Sequence, residues 1–171
     1  MSFEKPRRLP WLLAISLFLL VADRLTKIWV GRHIPFGDAI PIIPGVLQIS
    51  HWMNEGAAFS LFADSTSPNT VRWVLISFSL LAACVVIVAL IRMGSRITLT
   101  TIGLAMILAG ALGNVHDRIA YGSVVDFIEV HIVSYHFPDF NVADSSIVVG
   151  ACLLMLDSLL PHKAAGESQI S

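Results

Sequence analysis

Residues 73–91 read WVLISFSLLAACVVIVALI and contain no charged side chain. A helix needs about 20 predominantly apolar residues to cross a bilayer core of ~30 Å. Residues 97–115, ITLTTIGLAMILAGALGNV, form a second uncharged stretch of the same kind. The two stretches predict a pair of membrane-spanning helices that are joined by the short segment 92–96.

Two further stretches have the length of a span but carry charge. Residues 11–30 are apolar in their first half and are then interrupted by charged residues from Asp23 onward. Residues 140–160 carry Asp144 and Asp157. We therefore predict an all-α membrane protein with four transmembrane helices, in which the whole chain of 171 residues is one integral membrane domain.

The composition agrees with this class of protein. The chain is 56% hydrophobic and 13% charged, whereas soluble domains carry about 25% charged residues. A net charge of −1 provides no basic field for nucleic acid. Two cysteines are too few for a disulfide scaffold. A water-soluble enzyme and a nucleic-acid-binding protein are both disfavoured.

The distribution of Lys and Arg predicts the orientation in the membrane. Basic residues concentrate before the first span, in segment 92–96 and after the fourth span, and such residues favour the cytoplasmic side. Both termini are therefore expected in the cytoplasm, and segments 31–72 and 116–139 are expected on the outer side of the membrane. Residues 46–52 have the pattern of a strand. We expect a small extracytoplasmic β-sheet, or cradle, at the outer membrane surface.

Two acidic residues lie where charge is costly. Asp144 is placed about 9 Å from the midplane if the fourth helix is centred near Gly150. Asp126 lies in the apolar run GSVVDFI, and the connection to Asp144 is short enough for the carboxyls to meet. Two such acids share one proton and can activate a water against a peptide carbonyl, as aspartic proteases do. Alternatively, Asp144 and Asn141 only cap the fourth helix.

Other polar residues cluster toward the same side, and each has two interpretations. Asn54, Asn114 and Asn141 could bind a peptide backbone or simply close turns and helix ends. Asp23 and Lys27 have the spacing of an ion pair on a helix surface. The neighbours Asp117 and Arg118 follow Asn114, and Arg118 could bind a substrate carbonyl, bind a phosphate head group or anchor the helix at the interface.

The sequence lacks the motifs of other membrane proteases. It contains neither the H-E-x-x-H of zinc enzymes nor the G-x-S-x-G of serine enzymes. Its six histidines show no recognisable metal-ligand spacing. We therefore expect no metal and no cofactor.

Five segments, in order, resemble the bacterial lipoprotein signal peptidase (signal peptidase II) family. They are D-R-x-x-K at 23–27, N-E-G-A-A-F-S at 54–60, G-A-L-G-N-x-x-D-R at 110–118, G-x-x-V-D-F at 122–127 and F-N-V-A-D-S at 140–145. Two positions depart from the family pattern: Ala109 replaces the first glycine of a usual pair, and Phe137 stands where tryptophan is common.

The resemblance implies an aspartyl endopeptidase that removes signal peptides from prolipoproteins before a diacylglyceryl-modified cysteine. By position in the motifs, Asp126 and Asp144 match the catalytic pair. The residues that match substrate-binding or supporting positions are Asp23, Lys27, Asn54, Gly56, Asn114, Asp117, Arg118 and Asn141. The implied partners are lipidated prolipoproteins and membrane lipid, with the enzyme acting as a monomer. Segment 31–72, with Trp52 and Phe59, is then expected to close over the substrate.

Two other functions remain open from the residues alone. Acidic and basic residues inside a membrane also mark the pathways of small transporters and proton relays. A purely structural membrane subunit would use the same acids only as helix caps.

Overall fold

Four long helices and one small sheet account for the part of the chain that the computed structural model describes, residues 8–56, 67–133 and 135–161. The elements in chain order are α1 (Leu9–His33), β1 (Ala39–Ile43), β2 (Leu47–Asn54), α2 (Pro68–Met93), α3 (Leu99–Tyr121), β3 (Val124–Ile132), β4 (Tyr135–Phe140) and α4 (Val142–Leu159). All four helices are long and apolar enough to cross a membrane. The predicted fold class is confirmed.

Local sequence determines where α3 begins and ends. Thr98 and Thr101 form a reciprocal capping box at its start, and Gly122 ends it with a left-handed backbone (φ 87°). The helix continues past residue 115, where hydropathy predicted the span to end. It can do so because Asp117 and Arg118 are buried against other parts of the protein and are not exposed to lipid. The predicted outer segment 116–139 therefore begins with helix.

Helix α3 is the centre of the bundle, and α1, α2 and α4 pack around it. A core of buried apolar residues joins α1, α2 and α3, and the Ser16 hydroxyl of α1 donates to the Ala105 carbonyl of α3 at 2.7 Å. Small residues bring α3 and α4 together, since a Cβ added at Gly110 would lie 2.2 Å from the Ala143 carbonyl oxygen. Close backbone approach through small residues is typical of membrane helix pairs.

The sheet is antiparallel with the order β1-β2-β3-β4. Strand β2 confirms the strand predicted at residues 46–52. Connectivity places the sheet at the end of the bundle where α1 and α3 finish and α2 and α4 begin. There Val30 and Ile34 of α1 pack with Val125 and Phe127 of β3, which fixes the sheet on the bundle.

Some of the residues used in the sequence predictions lie outside the described part of the chain. These are the last four positions of the segment at 54–60, including Phe59, together with the flanks 1–7 and 162–171. The predicted closure of segment 31–72 therefore depends partly on residues outside the described ranges and stays a prediction.

Candidate active site

Asp126 and Asp144 line the same cavity of about 410 Å³. Asp126 lies on β3 and is 3% exposed, and Asp144 lies in the first turn of α4. The cavity is bounded by the end of α3, the two strands β3 and β4, and the start of α4. The two acids predicted to converge are therefore neighbours in the folded chain.

Two asparagine side chains hold the Asp126 carboxylate. Asn54 donates from Nδ2 to Oδ2 at 2.9 Å, and Asn141 donates from Nδ2 to Oδ1 at 2.8 Å. Both amides are oriented by a second bond, because Asn54 Oδ1 accepts the Gly56 N–H and Asn141 Oδ1 accepts the Asp144 N–H, each at 2.9 Å. With their oxygens occupied, the two amides must present their NH₂ groups to Asp126.

The Asp144 carboxylate is held in a similar way. Asn114 donates from Nδ2 to Oδ1 at 2.8 Å, and the Asn141 backbone N–H donates to Oδ2 at 3.3 Å. Asn141 and Asp144 thus form the reciprocal capping box of α4, so the predicted capping role is confirmed. Capping does not exclude a chemical role, since a carboxylate keeps lone pairs beyond the two used here.

Asn141 links the two carboxylates. Its side chain donates to Asp126 and its backbone N–H donates to Asp144, and the residue is fully buried. One residue therefore fixes the position of both acids relative to each other.

Burial changes the acidity of Asp126. Loss of hydration, with the negative charge of Asp144 as the next contribution, raises the pKa of the Asp126 carboxyl to about 7. The hydrogen bonds from Asn54 and Asn141 oppose this shift by favouring the charged form. A carboxyl with a pKa near neutrality can hold or release a proton under physiological conditions.

A buried ion network lies behind the pair. Lys27 Nζ is 2.8 Å from Asp23 Oδ2 and 2.7 Å from Asp117 Oδ2. The ion pair predicted from the spacing of Asp23 and Lys27 is formed, but each residue is only 2% exposed, so its predicted position on the helix surface was wrong. Asp23 Oδ1 also accepts the Ala143 N–H at 2.9 Å, and the network thereby holds the first turn of α4, next to Asp144.

Arg118 connects the wall of the cavity to the loop after β2. Its Nη2 donates to the Gly56 carbonyl at 2.8 Å, and its Nη1 lies 3.5 Å from the Asn114 carbonyl oxygen. The residue lines the cavity and is buried, so it is not a freely exposed anchor at the interface. Gly56 contributes its backbone to this contact, which explains its place in the predicted set.

The rest of the cavity was not predicted from the sequence. Asp139 and Ser145 contribute polar atoms, and the remaining wall is mostly apolar: Val124, Phe137, Pro138, Phe140, Ile147, Val148 and Val149. Burial raises the pKa of Asp139 as well, while a hydrogen bond from His136 opposes the shift. A charged residue inside the aromatic run F-P-D-F was an available signal for Asp139.

The carboxylates that line the cavity are not arranged as a metal site, because no three His, Cys, Asp or Glu ligand atoms converge there in the described ranges. The one set of three found in those ranges is Glu129, His131 and His136 on β3 and β4, whose ligand atoms lie within 4.8 Å of one another. The sequence analysis considered only the spacing of the histidines along the chain. Strand pairing brings these three side chains together, which that spacing does not show.

Comparison with known proteins defines the class of protein. The sequence model of the signal peptidase (SPase) II family matches residues 15–160. The chain is 43% identical to a lipoprotein signal peptidase of Ectopseudomonas mendocina (strain ymp) over 161 residues, 94% of each chain. It is 40% identical to a lipoprotein signal peptidase of Pseudomonas aeruginosa (strain UCBPP-PA14) over 162 residues, again 94% of each chain.

The fold has a counterpart among solved structures. A bacterial membrane enzyme determined in meso at 2.3 Å resolution superposes with a TM-score of 0.83 and 26% identity, covering all of both chains. This chain therefore belongs to the signal peptidase II family. It is a multi-pass membrane protein of a peptidase family, and the predicted resemblance is confirmed.

Proposed function

We propose that this protein is an aspartyl endopeptidase that removes the signal peptide of diacylglyceryl-modified prolipoproteins, cutting before the lipidated cysteine. The observation that carries the proposal is the pair Asp126 and Asp144, a buried and a partly buried carboxyl that line one cavity and are joined through Asn141. Membership of the signal peptidase II family supports the substrate class.

The chemistry follows from one shared proton. The ionised member of the pair takes a proton from a water, which attacks the scissile carbonyl, and the neutral member donates a hydrogen bond to the carbonyl oxygen. Breakage of the C–N bond in the tetrahedral intermediate then requires a proton on the leaving nitrogen, which the pair supplies. The products are a new carboxylate on the signal peptide and a free amine on the lipidated cysteine.

We assign the shared proton to Asp126. Its pKa of about 7 keeps a large protonated fraction at neutral pH. Asp144 occupies the third position of α4, where the positive end of the helix dipole stabilises a carboxylate anion. Asp144 would then act as the base that receives the proton of the water.

The asparagines act in this proposal by positioning the acids. The Nδ2 groups of Asn54, Asn114 and Asn141 all donate to a catalytic carboxylate. This arrangement favours a supporting role over direct binding of the substrate backbone. Arg118 also lines the cavity, and it is the basic residue that we assign to substrate binding.

The position of the cavity suits a substrate that stays in the membrane. Val148 and Val149 of α4 belong to its wall, yet they are 61% and 46% exposed. The apolar side of the cavity is therefore continuous with a helix face that would contact lipid. An acylated peptide could reach the carboxylates from the bilayer. We propose that the cavity faces outward from the bacterial inner membrane, with both termini in the cytoplasm and a single chain as the working unit.

The transporter alternative is less well supported. A proton or ion path requires polar groups through the whole depth of the bilayer. Between Asp144 and Asp157, α4 contains no charged residue, and Asp157 is hydrogen-bonded to Thr100 near the opposite end of α3. The charged groups of the candidate site are instead concentrated at one end of the bundle.

Cleavage of a defined precursor tests the proposal. The purified protein in detergent is incubated with a prolipoprotein carrying or lacking the diacylglyceryl group, and the products are identified by mass spectrometry. Cleavage before the modified cysteine only is expected. Equal cleavage of the precursor without lipid would contradict the proposed substrate class.

Asparagine variants test the residues. Asp126→Asn and Asp144→Asn should each reduce the rate by at least about 10²–10⁴-fold. Asp139→Asn is a matched control, because Asp139 is a third carboxylate on the same cavity but takes no part in the proposed chemistry. Wild-type cleavage by either of the first two variants would remove that residue from the pair.

A further inference from the structure

We propose that Glu129, His131 and His136 form a binding site for a divalent transition metal, with Zn²⁺ as its best-matched ion. The site lies on the β3–β4 hairpin and is distinct from the carboxylate pair. It is independent of the proposed peptidase chemistry, which uses no metal.

Strand geometry explains how three residues of one hairpin come together. Glu129 and His131 are two positions apart on β3, and side chains at that spacing point to the same face of a strand. His131 is paired directly with His136 on the neighbouring strand β4. Directly paired residues place their Cβ atoms about 4.5–5.5 Å apart, so all three side chains converge on one face of the hairpin.

The distances are close to those of a coordinated metal. Glu129 Oε1 lies 2.7 Å from His131 Nε2 and 3.7 Å from His136 Nε2. A tetrahedral zinc ion with ligands at 2.0–2.1 Å separates its ligand atoms by about 3.3 Å. The two observed distances bracket that value, and small rotations of the side chains would suffice for coordination. The imidazole rings already lie side by side, with centroids 4.7 Å apart.

The ligand set selects the class of ion. Two imidazole nitrogens and one carboxylate oxygen are typical ligands of zinc and its neighbours, whereas Mg²⁺ and Ca²⁺ prefer oxygen ligands alone. A site with three protein ligands leaves a fourth position for water or another group. Asp139 Oδ1 lies 3.2 Å from His136 Nε2 and is the nearby carboxylate that could occupy or support that position.

Burial and access also fit a metal site. The Glu129 side chain is 11% exposed, which limits its motion, while the His136 side chain is 53% exposed. The exposed imidazole gives an ion a route from solvent, and the buried carboxylate provides negative charge in a partly dehydrated position. Two imidazole nitrogens lie near one oxygen of Glu129. A divalent cation bound between them could take the place of the imidazole protons and balance the charge of the carboxylate.

Zinc titration of the purified protein tests this proposal. The affinity tag must be removed, because polyhistidine binds the same ions. Isothermal titration with ZnCl₂ in detergent should give one ion per chain, and excess Mg²⁺ should not compete. Replacement of the bound ion by Co²⁺ should give the visible absorption of a tetrahedral cobalt centre.

Variants identify the ligands. His131→Ala and His136→Ala should each weaken zinc binding by at least about 100-fold, more than the 10–100-fold typical of losing a supporting residue. Glu129→Gln keeps the size of the side chain and should also weaken binding. His33→Ala is a matched control, because His33 is exposed and stacks on Trp29 at the end of α1, so wild-type affinity is expected.

Two results would overturn the proposal. The first is the absence of saturable zinc binding by the wild-type protein. The second is wild-type affinity in His131→Ala or His136→Ala, which would show that the ion binds elsewhere. Cleavage of the lipidated precursor by the same variants provides a separate measure of folding, and it separates failure of this proposal from failure of the proposed peptidase.

Discussion

Gly110 allows α3 to approach the first turn of α4 closely. That turn carries Asp144, which lines the cavity. A Cβ at this position would lie 2.2 Å from the Ala143 carbonyl oxygen and 2.7 Å from Ile147 Cγ1. Ordinary contacts begin near 3.4 Å, and the obstacle is backbone, which does not rotate away. In Gly110→Ala the start of α4 must therefore move by about 1 Å, because close-packed interiors transmit such strain.

This displacement should reduce activity far more than stability. A misplacement of about 1 Å at reacting groups can lower a rate by about 10²-fold, and overpacking destabilises by about 1–3 kcal/mol. The assay is the initial rate of cleavage of the lipidated precursor, measured together with thermal unfolding in the same detergent. We expect cleavage by Gly110→Ala to be about 100-fold slower at a temperature where the variant remains folded.

Two matched variants separate local displacement from general damage. Gly103→Ala introduces a similar clash between α3 and α4, 2.5 Å from the Gly150 carbonyl oxygen, at a position about two helical turns along α4 from Asp144. It should lose similar stability but much less activity. Gly31→Ala meets nothing closer than 4.0 Å and should behave as wild type. Equal loss of activity in Gly110→Ala and Gly103→Ala would refute the reasoning.

Three further predictions concern charge. The pKa of Asp126 is about 7 in the folded protein, above the value near 3.9 expected for an unfolded aspartate. The free energy of unfolding of the wild type should therefore fall by roughly 2–3 kcal/mol between pH 5 and 8 relative to that of Asp126→Asn. Thermal or SDS-induced unfolding measures this difference. Lys27→Met removes the buried cation that Asp23 and Asp117 share and should lower the free energy of unfolding by about 3–5 kcal/mol. Arg24→Met removes only a partly exposed partner of Asp117 and should lower it by at most about 1 kcal/mol, so equal effects of the two variants would contradict the inference. The rate of cleavage should fall as pH rises above about 7, when Asp126 loses its proton, and again at acid pH, when the second carboxylate gains one; a flat profile would contradict proton sharing.

The helices were predictable because the bilayer imposes a length rule on apolar stretches. Helix α3 extends beyond the predicted span 97–115 for a physical reason. Hydropathy treats Asp117 and Arg118 as residues that must leave the membrane, yet both are buried against charged or polar partners from elsewhere in the chain. Information of that kind is absent from a single stretch of sequence.

The sheet was predictable only in outline. The strand at 46–52 was identified, but its partners and register depend on contacts between distant segments. Glu129, His131 and His136 are close in sequence, but their convergence depends on the register of the β3–β4 hairpin, which the sequence analysis did not predict. Register, not spacing along the chain, brings those side chains together.

The candidate site was largely predictable because Asp126, Asp144 and the three asparagines each fell within a recognisable motif, whereas Asp139 did not. The role of the amides was not, since a sequence cannot show that Asn54 and Asn141 donate to the two oxygens of one carboxylate. Capping and catalysis at Asp144 were treated as alternatives, but a residue that caps α4 can also take part in catalysis.

The central claim is that Asp126 and Asp144 act as one unit, and a double-mutant cycle on cleavage tests it most directly. The rate with the lipidated precursor is measured for Asp126→Asn, Asp144→Asn and the double variant. If the two acids share one proton and activate one water, the double variant should cleave no more slowly than the slower single variant, since either loss already disables the pair. Losses that multiply in the double variant, or substantial cleavage by either single variant, would contradict the account.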